Sequence, residues 1–303
     1  VRLTARSSPQ ATGFCLAALG AVLFSTKSVL IKLAYAYPVT PVTLLALRMV
    51  CAAPFYLIAA KLAGRNGSTL RNRDLLQLFL FGLIGYYGAS FLDFAGLAYI
   101  SASLEWLLLY TYPAIVLFIA AFASGRPVSR RDLLAAALTY AGVGCVFVNG
   151  GQSGGASRWP GVILVLASAF AYAVYLVGSQ RIIPRLGALR YTSLAMLPAV
   201  GGTMLHFAFS GAFADLAHLP APVYAYGLAL GLFATVLPTF MISAGIARIG
   251  AAKAAMIGAL GPVATLLLAW IFLGEEITAV QIAGTVLIIV GIHAASRGDR
   301  PKV

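Results

Sequence analysis

Apolar runs of about 20 residues, separated by short polar breaks, recur along the whole chain. At about 1.5 Å of rise per residue, a helix of about 20 residues crosses the hydrocarbon core of a bilayer. The pattern predicts ten membrane-spanning helices, near residues 13–33, 41–62, 74–99, 101–123, 131–149, 159–179, 190–211, 223–247, 251–273 and 278–296. Only residues 64–73, 149–158, 180–189 and 211–222 read as loops between them. The first run contains a lysine, exceeds a signal-peptide core in length and lacks a small-residue cleavage site, so it reads as a membrane helix.

Composition fits this pattern. Hydrophobic residues make up 61% of the 303 and charged residues 10%, and the mean hydropathy is +0.94. A soluble domain cannot solvate so apolar a surface, and no soluble domain is expected.

The net charge of +13 raises the question of nucleic acid, but its distribution answers differently. With the N-terminus inside, 17 of the 21 Lys and Arg residues fall on the cytoplasmic side; the others are Lys27 and Arg48 within spans and Lys32 and Arg158 outside. This asymmetry is an orientation signal that places both termini in the cytoplasm. No nucleic-acid partner is expected.

The second half repeats the first. At an offset of 149, AGLAYISA (95–102) meets AGIARIGA (244–251), Pro113 meets Pro262, Gly125 meets Gly274 and Gly142 meets Gly291. At 148, Gly13 meets Gly161 and Phe24 meets Tyr172. The expected units are residues 1–150 and 151–303, each with five spans. Five is odd, so the two units enter the membrane with opposite orientation. Inverted repeats of this kind mark secondary transporters with a substrate site at the repeat interface. The fold class expected is therefore an all-α membrane protein, two inverted five-helix repeats around a central cavity.

Pro113 and Pro262 fall well inside their spans and read as repeat-related hinges or as static kinks. Cys15, Cys51 and Cys145 lie within spans without metal-ligand spacing and read as small packing residues. His206, His218 and His293 form no ligand or catalytic pattern, and no phosphate-binding glycine loop opens a helix. No catalytic set, metal or cofactor is expected.

The candidate chemistry lies within the spans. Lys27, Arg48, Asp93 and Glu105 sit on four successive spans at one level of the outer half, and their charges sum to zero. Intramembrane charges face the protein interior or water and pair with one another. Three roles stay open: a closed ion-pair network, ligands for a substrate's ammonium and carboxylate, or proton coupling through Asp93 or Glu105. Around them lie Tyr86, Trp106, Tyr110, Tyr172 and Tyr175. Tyr86, Ala89, Ser90 and Asp93 follow one-face helical spacing, and an aromatic lining stacks rings or holds cations. The substrate-binding candidates are thus Lys27, Tyr86, Asp93, Glu105, Trp106, Tyr110, Tyr172 and Tyr175. Tyr35, Tyr37 and Tyr99 suit an interfacial belt or helix packing.

The stretch from Ala244 to Ile292 carries a small-residue helix start, a mid-helix Gly-Pro, the turn FLGEEIT and a closing Gln-x-x-Gly-x-x-Leu-Ile-x-x-Gly helix. It resembles the EamA-type repeat of the drug/metabolite transporter superfamily. The first half is similar, except that Arg126 and Pro127 replace Glu275 and Glu276; those two glutamates read as a solvated turn. The resemblance implies a ten-helix bundle in which helices 1–4 and 6–9 surround the cavity. It further implies export of small metabolites, and within the family the chain is most similar to the YddG-like aromatic amino-acid exporters.

The expectation is a secondary transporter exporting amino acids across a bacterial inner membrane, working as a monomer on a small-molecule substrate within the lipid bilayer. An efflux carrier for lipophilic cations or drugs is the alternative. A channel or membrane-embedded enzyme stands behind both.

Overall fold

A computed structural model of the chain describes residues 9–64, 69–125, 130, 133–134, 136–138, 140–142, 158–179, 182–249, 257–258 and 260–296. The described residues that take regular structure are helical. The helices are α1 (Pro9–Ala34), α2 (Pro41–Gly64), α3 (Asn72–Phe81), α4 (Ala89–Leu97), α5 (Ala102–Leu109), α6 (Tyr112–Ser124), α7 (Arg158–Ser179), α8 (Ile183–Leu186), α9 (Ala188–Phe209), α10 (Phe213–Leu216), α11 (Ala221–Gly231), α12 (Leu237–Ile249), α13 (Leu260–Leu273) and α14 (Ala279–Ser296). Among the described residues, seven helical stretches are long and apolar enough to cross a membrane, and α13 is a shorter apolar helix. Most of the expected span 131–149, with Cys145, and the start of the span 251–273 lie outside the described residues.

Two spans are continuous only through a widened turn. A π-helical segment, Gly82–Gly88, joins α3 to α4, and a second, Leu232–Val236, joins α11 to α12. At the offset of 149 the second falls on residues 83–87, inside the first. π turns appear mostly as single insertions at functional positions, and here they occur twice at matching places.

Packing follows the same correspondence. α1 lies along α12 and α13, α7 lies along α4 and α6, and α2 lies on α9. Exchanging the halves turns the first pair of contacts into the second and the third into itself. One pair of close glycine approaches matches too. A Cβ on Gly161 of α7 would stand 2.9 Å from the Gly96 carbonyl oxygen of α4, and one on Gly245 of α12 would stand 3.1 Å from the Gly13 carbonyl oxygen of α1. Small residues at such crossings let membrane helices approach closely enough for backbone contact.

Outward faces are apolar, with Phe122, Phe209, Trp159 and Trp270 all well exposed, as lipid-facing surfaces require. Polar groups turn inward: Ser25, Ser28, Thr203 and Thr265 are fully buried, and Ser25 and Thr203 hydrogen-bond the carbonyl four residues back in their own helices.

Two expectations need correction. Pro113 does not kink a continuous helix. The helix stops at Leu109 and restarts at Tyr112 with Pro113 in the first turn, where its missing N–H costs no bond. Pro262 lies in α13, with residues 257–258 before it also helical and residue 259 outside the described residues. Nor do Tyr86, Ser90 and Asp93 work as one face. The π segment turns Tyr86 onto α7, whereas Ser90 and Asp93, one turn apart beyond it in regular α4, meet α2 and α1.

Candidate functional site

Lys27 of α1 reaches the Asp93 carboxylate of α4 at 2.5 Å and the Glu105 carboxylate of α5 at 3.1 Å. Ser28, one residue on, donates to the other Glu105 oxygen at 2.5 Å. All three charged side chains are buried, Glu105 completely. The four-residue network expected from the sequence therefore divides. Lys27, Asp93 and Glu105 form a closed triad, while Arg48 of α2 turns to the other half. Its Nε donates to Thr235 Oγ1 at 2.7 Å, and its guanidinium lies 5.4 Å from the centre of the Phe94 ring.

The Thr235 partnership depends on the second π segment. A widened turn leaves carbonyls without their usual helical partner, and Thr235 Oγ1 donates to the Leu230 oxygen, five residues back, at 2.7 Å. The hydroxyl is thereby oriented to accept from Arg48. In the first π segment the corresponding residue is Tyr86, whose hydroxyl meets that of Tyr175 on α7 at 2.8 Å.

The aromatic candidates do come together. Ring centres run from Phe24 to Trp106 (5.8 Å), Trp106 to Tyr110 (5.3 Å), Tyr110 to Tyr112 (5.9 Å), Tyr112 to Tyr172 (5.2 Å), Tyr172 to Tyr175 (5.7 Å) and Tyr175 to Tyr86 (4.8 Å). This unbroken file links α1, α5, α6, α7 and the first π segment. The Lys27 ammonium caps one end, 5.4 Å from the Trp106 ring centre. Tyr110 ties the file to the second half by donating to the Gly258 oxygen at 2.6 Å. Helical spacing missed Tyr112, because the break at Tyr110–Thr111 resets its direction. It also missed Tyr191, 6.1 Å from Tyr175.

Two polar atoms at the triad have no hydrogen-bond partner among the described residues: Asp93 Oδ1, an acceptor, and Trp106 Nε1, a donor. Asp93 Oδ1 can accept, and Trp106 Nε1 can donate, one further hydrogen bond. Of the remaining expectations, His206 is a packing residue that bonds Tyr87 at 2.8 Å. Tyr35 packs onto α4, donating to the Phe94 oxygen at 2.7 Å. Among the described residues no group of His, Cys, Asp or Glu could hold a metal ion.

Both halves match one family model, the EamA-like transporter family, over residues 11–148 and 159–297. The chain belongs to this family. It is a multi-pass membrane transporter with two EamA repeats, and not an enzyme. It is 31% identical over 282 residues to the uncharacterized transporter YcbK of Bacillus subtilis (strain 168), covering 90% of this chain and 89% of the relative. It is 25% identical over 235 residues to the uncharacterized transporter YyaM of the same organism, covering 77% and 76%. A crystal structure with 19% identity superposes with a TM-score of 0.62 over 96% of this chain and 97% of the other, a likeness of fold. The matching π segments and glycine crossings thus belong to the two EamA repeats.

Proposed function

We propose that this EamA transporter is a monomeric secondary carrier that exports small amino acids, aromatic or neutral, across the bacterial plasma membrane by alternating access. Units 1–150 and 151–303 would stand in opposite orientation, with both termini in the cytoplasm. The observation that carries the substrate reading is the buried triad with its unpartnered acceptor and donor beside a file of aromatic rings. Asp93 Oδ1 can take a substrate ammonium, Trp106 Nε1 can donate to a carboxylate, and the rings from Trp106 to Tyr86 offer faces for an apolar side chain. Lys27 can move from Glu105 to the substrate carboxylate. Pro113, in the first turn of α6, and Pro262, its equivalent in the second repeat, serve as the repeat-related hinges.

The excess of two carboxylates over one ammonium favours a second reading, efflux of lipophilic cations held by the same rings. Purified protein in liposomes separates the two. Saturable flux of labelled aromatic or neutral amino acids that is lost in Lys27→Met, with the protein still monodisperse, supports the first. Flux of a lipophilic cation alone, indifferent to Lys27→Met, supports the second.

A further inference from the structure

Gly274 closes α13 with φ at +66°, a left-handed residue that only glycine adopts readily. The turn sends Glu275 across to the other repeat. Its carboxylate accepts from Ala102 N at 2.8 Å and from Ser103 N at 3.1 Å, the first amides of α5. Ser101 takes the next free amide, Leu104 N, at 3.2 Å. The start of a helix has free N–H groups and a positive partial charge, so a carboxylate there is held by both. The expected solvated turn is in fact a cap built by one repeat on a helix of the other.

The same corner is held from a second side. Lys32, in the last turn of α1, donates to the Leu97 oxygen at the end of α4 at 3.2 Å, and it lies within electrostatic reach of Glu275. The break between α4 and α5 is therefore fixed at its carbonyl end by a cation and at its amide end by an anion.

The first repeat has the same turn without the same chemistry. Gly125 ends α6 with φ at +64°, but Arg126 follows where Glu275 follows Gly274, and Gly250 stands in the place of Ser101. A guanidinium has no acceptor atom and carries the same sign as a helix start. The Glu275 cap thus has no counterpart of its own kind at the Gly125 turn, while the opposite end joins the repeats differently, by the Asp74–Arg185 ion pair, with Asp74 also accepting from Arg71 N at 2.7 Å.

We propose that Glu275 is a latch that holds the Leu97–Ser103 end of the transporter shut, and that its release from α5 is a step in opening that end. The charge distribution places this end outside. This rests on the alternating-access reading, but its test needs no substrate.

The test uses full-length protein with Cys15, Cys51 and Cys145 replaced by serine and spin labels at Tyr99→Cys and Ala279→Cys, two exposed positions flanking the corner. Electron–electron distance measurements in lipid read the gap. The parent should give one narrow short distance, and Glu275→Ala should add a longer population. Ala102→Pro tests the donor side. Proline suits the first helical position, and Ser101 already has the extended backbone (φ −71°, ψ 159°) that must precede it. It removes one of the two amides and should also add the longer population. Glu275→Gln keeps one acceptor oxygen and should show a smaller shift. It is the variant to read should the alanine form not remain monodisperse. Distributions matching the parent in the folded variants would overturn the latch. Absence of amino-acid flux would bear on the substrate reading and leave the distances standing.

Discussion

Tyr86 and Thr235 occupy one position of the two repeats, and each lies in a π turn whose hydroxyl bonds across to the other repeat. Tyr86 meets Tyr175 and Thr235 meets Arg48. The backbone device is shared, but the partners are not. In one half it joins two neutral phenols. In the other it holds a buried guanidinium.

That difference sets an order of cost. Tyr86→Phe removes a neutral bond inside a membrane protein, about 0.6 kcal/mol. Thr235→Val removes the acceptor of a buried cation, about 1.5–3 kcal/mol. Thermal unfolding in detergent should show a clearly larger loss for Thr235→Val. Equal losses would mean that Ser90 and the Phe94 ring suffice for Arg48.

The Lys27 triad is expected to be strongly non-additive. Lys27→Met leaves two buried carboxylates facing each other and should cost about 3–5 kcal/mol, the usual penalty for breaking a buried pair from one side. Adding Asp93→Asn and Glu105→Gln removes both uncompensated charges and should restore most of the stability. A triple variant no more stable than Lys27→Met would show that the ammonium is held chiefly by its contacts with Trp106 and Phe24.

Much of this was legible in the sequence because the relevant physics is one-dimensional. Hydropathy runs marked the spans, the 149-residue offset marked the repeat, and spacing in the outer half placed Lys27, Asp93 and Glu105 at one level. Direction around the helix axis was harder. A π turn and a helix break each rotate the residues beyond them, so Tyr86 and Asp93 diverged and Tyr112 joined the aromatic file unannounced. The Glu275 cap was invisible for another reason: backbone amides leave no mark in a sequence, and a carboxylate in a turn looks solvated until the helix start it serves is placed beside it.

Gly161 should tolerate no side chain. An added Cβ would lie 2.8 Å from Tyr99 Cβ and 2.9 Å from the Gly96 oxygen, and a backbone oxygen cannot turn aside. Gly161→Ala is expected to cost about 1–3 kcal/mol, as overpacking does. Gly201, with open space around its Cβ position, should accept alanine without loss and serves as the control in the same thermal assay.

Orientation can be tested without any substrate. Thr69 lies in the α2–α3 connection and Glu276 follows α13, and both are exposed. Charge asymmetry puts the first inside and the second outside. In whole cells carrying the cysteine-free background, a membrane-impermeant maleimide should label Glu276→Cys at once. Thr69→Cys should label only after permeabilisation. The reverse pattern would invert the bundle and place the Glu275 cap at the cytoplasmic face. The latch would then close the side from which an exported substrate enters. Labelling of both from outside would break the five-span count of the first repeat, since Thr69 and Glu276 are separated by an odd number of crossings only if 131–149 is one of them.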